Sequence, residues 1–167
     1  AVWEDGSPIT WEDFECTWQA NLNTPGSLDT TGWDKITTVE AGGSDQQVVV
    51  SLNEVFAPYK LLFDGLIKKA AVADCNDISA DLQTEFSFSN RPYKLESWSD
   101  SQAVFVPNEN YFGDDAAVTP KVVIVPKADQ ETEIASLLAS EVDFIYPQYS
   151  PETADAVAGD ANVKVSI

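Results

Sequence analysis

Glu141 and Asp143 have the spacing in this chain that most directly suggests acid and base chemistry. Two positions apart on a strand, their carboxylates would share one face, as a pair must to divide proton donation from proton acceptance. Such a pair works only where a cleft buries it and pushes its proton affinities apart. The chain has no histidine to assist, so the pair reads as structural and no enzyme is expected. Asp74, Asn76 and Asp77, and the Asp114-Asp115 pair, offer oxygen ligands at calcium-like spacing but lack the loop pattern of a calcium site. Solvated loops are expected there, with no metal and no cofactor.

Cys16 and Cys75 are the only cysteines. A pair without a neighbouring histidine gives little basis for metal binding or thiol catalysis, which leaves a disulfide, natural outside the cytoplasm, or two buried free thiols. A bridge closing so long a loop would contribute about 4 kcal/mol on the chain-entropy account. Trp3, Trp11, Trp18, Trp33 and Trp98 invite a sugar-stacking reading. Trp11 and Trp18, however, are spaced to lie on one helix face, so core packing is the expectation. Tyr93 and Tyr111 read as amphipathic core residues whose hydroxyls reach backbone partners.

The elements that would position these groups follow from punctuation and periodicity. Thr10 with Asp13 forms a capping box for a helix over about 11–21, whose apolar face includes Phe14, Cys16, Trp18 and Leu22. Thr24-Pro25-Gly26 breaks it. Residues 36–40 and 47–52 are β-branched runs around Gly42-Gly43-Ser44-Asp45, the pattern of an antiparallel hairpin. Tyr59, Leu61, Leu62, Leu66 and Ile67 then take a helical spacing behind Pro58, which predicts a second helix covering the hairpin. Residues 85–88 read as a short extended piece.

Further on, residues 91–98 and 102–106 form a second hairpin about Ser99-Asp100-Ser101. Residues 122–126 form a strand. Asp129 caps a helix over about 130–140, with Glu131 and Glu133 in its favoured first turn. A strand over 142–146, a short helix from Pro151 to Gly159 and a strand over 163–167 complete the pattern.

The chain has 167 residues, 44% of them hydrophobic, enough for one domain or two small lobes. Its 28 acidic and 9 basic residues give a net charge of −19, which repels phosphate backbones and anionic lipid, so no nucleic acid is expected as a partner. The acidic surface is read as a source of solubility, not as a substrate code. There is no run of apolar residues long enough to span a bilayer, and no leader-like start. The absence of methionine reads as processing or excision from a longer chain.

Four segments, in order, resemble the extracellular solute-binding proteins of family 5. Asp5-Gly6-Ser7-Pro8-Ile9-Thr10-Trp11-Glu12-Asp13-Phe14 is similar to the family's D-G-x-P-[VI]-T-[AW]-x-D-[FV]. Asn90-Arg91-Pro92-Tyr93-Lys94-Leu95 is similar to N-G-P-Y-K-L, Asn108-Glu109-Asn110-Tyr111-Phe112-Gly113 to N-P-x-Y-W-G, and Leu138-Ala139-Ser140-Glu141-Val142-Asp143 to L-x-x-G-E-[IV]-D. Arg91 and Ser140 stand where the family has glycine, so those turns are expected to be shaped differently. Glu109 replaces a proline, and Phe112 is expected to serve as the aromatic plug in place of tryptophan.

The resemblance implies a mixed α/β (α+β) fragment of a type II, peptide-binding class, periplasmic-binding-protein-like fold, with antiparallel hairpins and packed helices. Residues 1–88 would be an accessory subdomain, and residues 89–167 part of the first of two lobes. It implies the substrate-binding component of an ABC importer, carrying short peptides or another small solute to permease subunits. Such a protein would be a monomer, extracellular or periplasmic, and lipid-anchored in its full-length form. Nickel, another family cargo, finds no imidazole here. Tyr146, Pro147, Gln148 and Tyr149 would face the cleft, where a peptide pairs with backbone as an added strand; the competing reading is an aromatic turn packed on the Pro151 helix. Without the second lobe these residues are expected to bind poorly. The alternative function is an extracellular carbohydrate-binding or adhesion module.

Overall fold

A computed structural model describes residues 1–27, 29–83 and 87–166. It divides into two compact units, Ala1–Ile124 and Val125–Ile167. In the first unit, helix α1 (Trp11–Asn23) starts at the expected cap. Thr10 is extended, and the Asp13 carboxylate accepts its backbone N–H at 3.0 Å, satisfying a group at the helix start. That carboxylate is buried and serves two further donors. The Trp3 indole N–H reaches it at 3.2 Å and the backbone N–H of Lys69 at 2.9 Å. One turn on, buried Thr17 donates its hydroxyl to the Asp13 carbonyl at 2.7 Å and accepts the Ile67 N–H at 2.8 Å.

These contacts explain why the second helix does not form. The chain makes only 3-10 turns at Tyr59–Leu61 and Lys69–Ala71. Ile67 and Lys69 give their N–H groups to side chains of α1 instead of to their own preceding carbonyls, and Gly65 disfavours a helix interior by about 1 kcal/mol. Tertiary acceptors override the local spacing.

The first hairpin is present as β1 (Ile36–Ala41) and β2 (Val48–Leu52), antiparallel, with Val39 opposite Val50. Trp33, Ile36, Val39 and Leu62 form a buried cluster, against which Phe14 and Trp18 of α1 pack. The cover of the hairpin is therefore α1. Phe63 meets Trp33 edge-on at 5.1 Å, and the Trp18 indole donates to the Trp33 carbonyl at 3.1 Å, so these tryptophans are core residues. Gly32 sits beside this cluster at φ +87°, and a Cβ there would lie 2.5 Å from the Phe56 ring. Only glycine fits both demands.

Cys16 and Cys75 form a disulfide, with their Cα atoms 4.9 Å apart. It ties residues 72–83, which form no helix or strand among the described residues, to the buried side of α1. Asn23 donates to Asn76 at 2.9 Å beside it. Asp74 and Asp77 accept the backbone N–H groups of Asn76 and Ser79 at 2.8 and 3.0 Å, the local turns that aspartate favours. Glu85 and Phe86 of the expected extended piece lie outside the described residues, and Ser87 and Phe88 are not in a strand.

The second hairpin is β3 (Tyr93–Ser99) and β4 (Gln102–Pro107), extended by β5 (Val122–Ile124) antiparallel to β4. The Tyr93 hydroxyl donates to the Thr119 carbonyl and accepts its N–H, both at 3.2 Å. Buried Asn108 donates to the Arg91 carbonyl at 3.0 Å, and Asn110 donates to the Glu4 carbonyl at 2.8 Å. Phe112 departs from expectation: it is 55% exposed, meeting Tyr111 at 5.9 Å, and plugs nothing among the described residues. Arg91 is not among the residues with left-handed backbone, so its turn does not require glycine.

In the second unit, α2 (Gln130–Leu138) starts at Asp129, whose carboxylate accepts the Thr132 N–H at 2.8 Å. Helix α3 (Pro151–Val157) starts at Ser150, which accepts the Thr153 N–H at 3.1 Å. The strands expected over 142–146 and 163–167 are absent among the described residues, Ile167 lying outside them. A strand is defined by a ladder, and no described segment pairs with either.

Replacing Asp13 by Ala would strand three buried or half-buried donors, so Asp13→Ala is expected to cost about 3 kcal/mol of stability, read as a lower denaturant midpoint. The Asp5 carboxyl is held far below its ordinary range, chiefly by the Lys68 ammonium at 2.5 Å and then by the hydroxyl and N–H of Ser7. Its contribution is complete above the unfolded value near 3.8 and is lost as pH falls below it. Asp5→Asn should therefore flatten the acid limb of a Tm-against-pH profile below about pH 4.

Candidate functional site

The segment 142–149 owes its course to the end of α2. The Ser140 N–H bonds to the Leu137 carbonyl at 3.0 Å and the Glu141 N–H to the Ser136 carbonyl at 2.9 Å, the paired closure of a Schellman cap. Ser140 holds φ +57°, the left-handed geometry normally given to glycine. The turn thus keeps the glycine shape with a serine in it, contrary to the expected change, at a local cost of about 1 kcal/mol.

Beyond this cap the chain runs back along α2. Glu133 accepts the Tyr146 N–H at 3.3 Å, and Gln130, one turn earlier on the helix, donates to the Gln148 carbonyl at 3.3 Å. Gln130 also bonds the Thr153 hydroxyl, which links the segment to α3. Residues 145–149 make no other main-chain hydrogen bonds among the described residues. Ile145 and Pro147 are half-buried, whereas Phe144, Tyr146 and Gln148 are exposed. The two-residue alternation of an extended chain survives without a ladder.

All four expected site residues therefore sit together on one extended run. Tyr146 is 88% exposed and Tyr149 67%, so neither is an aromatic turn buried against α3. The Gln148 amide faces solvent, with both donor and acceptor available. Gln130 and Glu133, which hold the segment, escaped the sequence reading. Their signal was spacing: three positions apart, they share a face of α2.

No acid and base pair is assembled. Glu141 is exposed and lies 3.8 Å from the Lys127 ammonium, and Asp143 is exposed as well, so no cleft encloses the two carboxylates. Two concavities lie in the first unit. One is bounded by Trp3, Pro8, Glu12, Lys68 and Lys69, the other by Trp33, Phe56, Pro58 and Leu62. Both are shallow and open, and neither includes residues 146–149.

Comparison with known proteins places this geometry in context. The family model described as bacterial extracellular solute-binding proteins, family 5 Middle, matches residues 1–166. Among solved structures, the periplasmic EDTA-binding protein EppA aligns at TM-score 0.80 and 26% identity, over 95% of this chain and 32% of that one. NikZ from Campylobacter jejuni, in complex with Ni(L-His), aligns at TM-score 0.68 and 21% identity, over 85% and 29%. The probable monoacyl phosphatidylinositol tetramannoside-binding protein LpqW of Mycobacterium tuberculosis is 22% identical over 138 residues, 81% of this chain. The chain spans about a fifth of the length of that curated relative (21%) and about a third of the solved ones.

Because Ser140 pays for a glycine conformation and its side chain is exposed, Ser140→Gly should stabilise the protein by about 0.5–1 kcal/mol. Thermal unfolding would show this as a raised Tm.

Proposed function

Because the chain belongs to the bacterial extracellular solute-binding proteins of family 5, matched over residues 1–166, we propose that it forms part of the substrate-binding component of an ABC importer. The family consists of binding proteins and not of catalysts. The solute proposed is a short peptide, delivered by a monomeric, lipid-anchored carrier to its permease subunits. Within this reading residues 1–88 are the accessory subdomain and residues 89–167 part of the first lobe, a division by role and not by compactness.

The observation behind a ligand-facing role is the segment at residues 146–149. An extended backbone with unused hydrogen-bonding groups, flanked by exposed tyrosines, suits the addition of a peptide strand: main-chain bonds give affinity and alternate side chains give selectivity. Gln148 would fix the register through its amide, while Tyr146 and Tyr149 supply rigid faces at low entropic cost. Gln130 and Glu133 hold the segment from behind, so less ordering is required on binding.

The relatives' names span an aminocarboxylate chelator, a nickel complex and a glycolipid, which is why the class of solute must be measured. Titration of the full-length protein with a library of short peptides should give saturable binding. Tyr146→Ala and Gln148→Ala should each weaken it about tenfold, or about 1.4 kcal/mol, leaving Tm unchanged. Unaltered affinity in both variants would remove the segment from the site, and saturable binding of glycans by residues 1–167 alone would favour the adhesion reading instead.

A further inference from the structure

The chain has two Asp-Gly steps, Asp5-Gly6 and Asp64-Gly65. At such a step the main chain can rearrange without an enzyme. The glycine amide nitrogen attacks the aspartic Cγ, forming a C–N bond. The carboxyl oxygen leaves as water, taking the amide hydrogen, and a five-membered succinimide closes. Water then adds at one of the two ring carbonyls. Opening on one side restores aspartate; opening on the other leaves isoaspartate, with the main chain rerouted through the former side chain. Water lost in the first step is regained in the second, so no oxidant or cofactor is consumed. Glycine assists because no Cβ crowds the attacking nitrogen and its backbone reaches the closing geometry freely.

We propose that Asp64 is a site of spontaneous isomerisation to isoaspartate, whereas Asp5 is protected by its surroundings. The Asp64 side chain is 79% exposed. Gly65 has no atom within 4 Å of where a Cβ would stand, and its N–H makes no hydrogen bond among the described residues. Electrophile and nucleophile are both accessible.

Asp5-Gly6 has the same two residues in the opposite state. The Asp5 carboxylate is held by Lys68 at 2.5 Å and by the Ser7 hydroxyl and N–H at 2.6 and 3.0 Å. The Gly6 N–H is engaged by the Trp3 carbonyl at 2.9 Å, and Gly6 is fixed at φ +80°. Ring closure there requires breaking the turn. A carboxylate kept ionised is also the poorer electrophile, since its oxygen leaves readily only as water.

The consequence at Asp64 is structural. Arg91 donates to both the Asp64 carbonyl and its carboxylate, the latter at 3.0 Å, tying residues 61–65 to the turn before β3. Isomerisation inserts a carbon into the main chain and exchanges the two acceptors' roles, the former carbonyl becoming the free carboxylate and the former carboxylate the main-chain carbonyl, which breaks the geometry of the clasp. An exposed ion pair of this kind is too weak to hold the carboxylate away from the ring.

The test is to age the purified full-length protein at neutral pH, digest it and map its peptides by electron-transfer fragmentation, which separates isoaspartate from aspartate. Enzymatic methylation of isoaspartyl carboxyls provides an independent count. Isoaspartate is expected to accumulate at residue 64 an order of magnitude faster than at residue 5. Gly65→Ala, for which there is room, should slow it severalfold, and Asp64→Glu should abolish it because the ring would need six members; circular dichroism checks that both fold. Equal rates at the two steps, no isoaspartate at 64, or an unchanged rate in Gly65→Ala would each overturn the proposal.

Discussion

One buried carboxylate organises the first unit. Asp13 serves the start of α1, the indole of Trp3 and the backbone of Lys69, three segments that no sheet among the described residues holds together. A buried acceptor with several good donors both repays its own desolvation and dictates where those donors lie. Thr17 repeats the pattern one turn later through its hydroxyl. The path of residues 66–68, up to the 3-10 turn at Lys69, is thus set by side chains of a distant helix, which is why it is neither helix nor strand.

This also marks how far the sequence could be read. The cap at Thr10 and Asp13, both hairpins and the caps at Asp129 and Ser150 rest on local chemistry, and all of them formed. The helix expected after Pro58 failed because its donors had better acceptors fifty residues or more away in sequence. The strand expected over 142–146 failed for the complementary reason: alternation is written into the residues, whereas a ladder needs a neighbour. Of the candidate segment, the place of Tyr146-Pro147-Gln148-Tyr149 in the chain after the α2 cap was legible. The supports from Gln130 and Glu133 were not: their spacing places them on one face of α2, but a polar residue on a helix does not say which backbone it will meet.

The second unit shows a sequence departure absorbed without change of shape. Ser140 takes the left-handed conformation and the two closing hydrogen bonds form, so the chain leaves α2 in the direction that lays residues 142–149 along it. At Arg91 the same kind of departure has the opposite character. The side chain gained a partner in Asp64, and the turn itself asks nothing special of the backbone. Substituting a glycine can therefore mean stored strain in one place and a new contact in another.

The link between Cys16 and Cys75 has a bearing on how the polypeptide matures. Two thiols admit a single intramolecular pairing, so within these residues oxidation has no mismatched connectivity to become trapped in. For this pair an oxidant suffices, with no alternative partner among these residues for an isomerase to correct. The stretch bearing Cys75 has no helix or strand of its own among the described residues, so its seat on α1 depends on the covalent link and on the polar contact of Asn23 with Asn76 beside it.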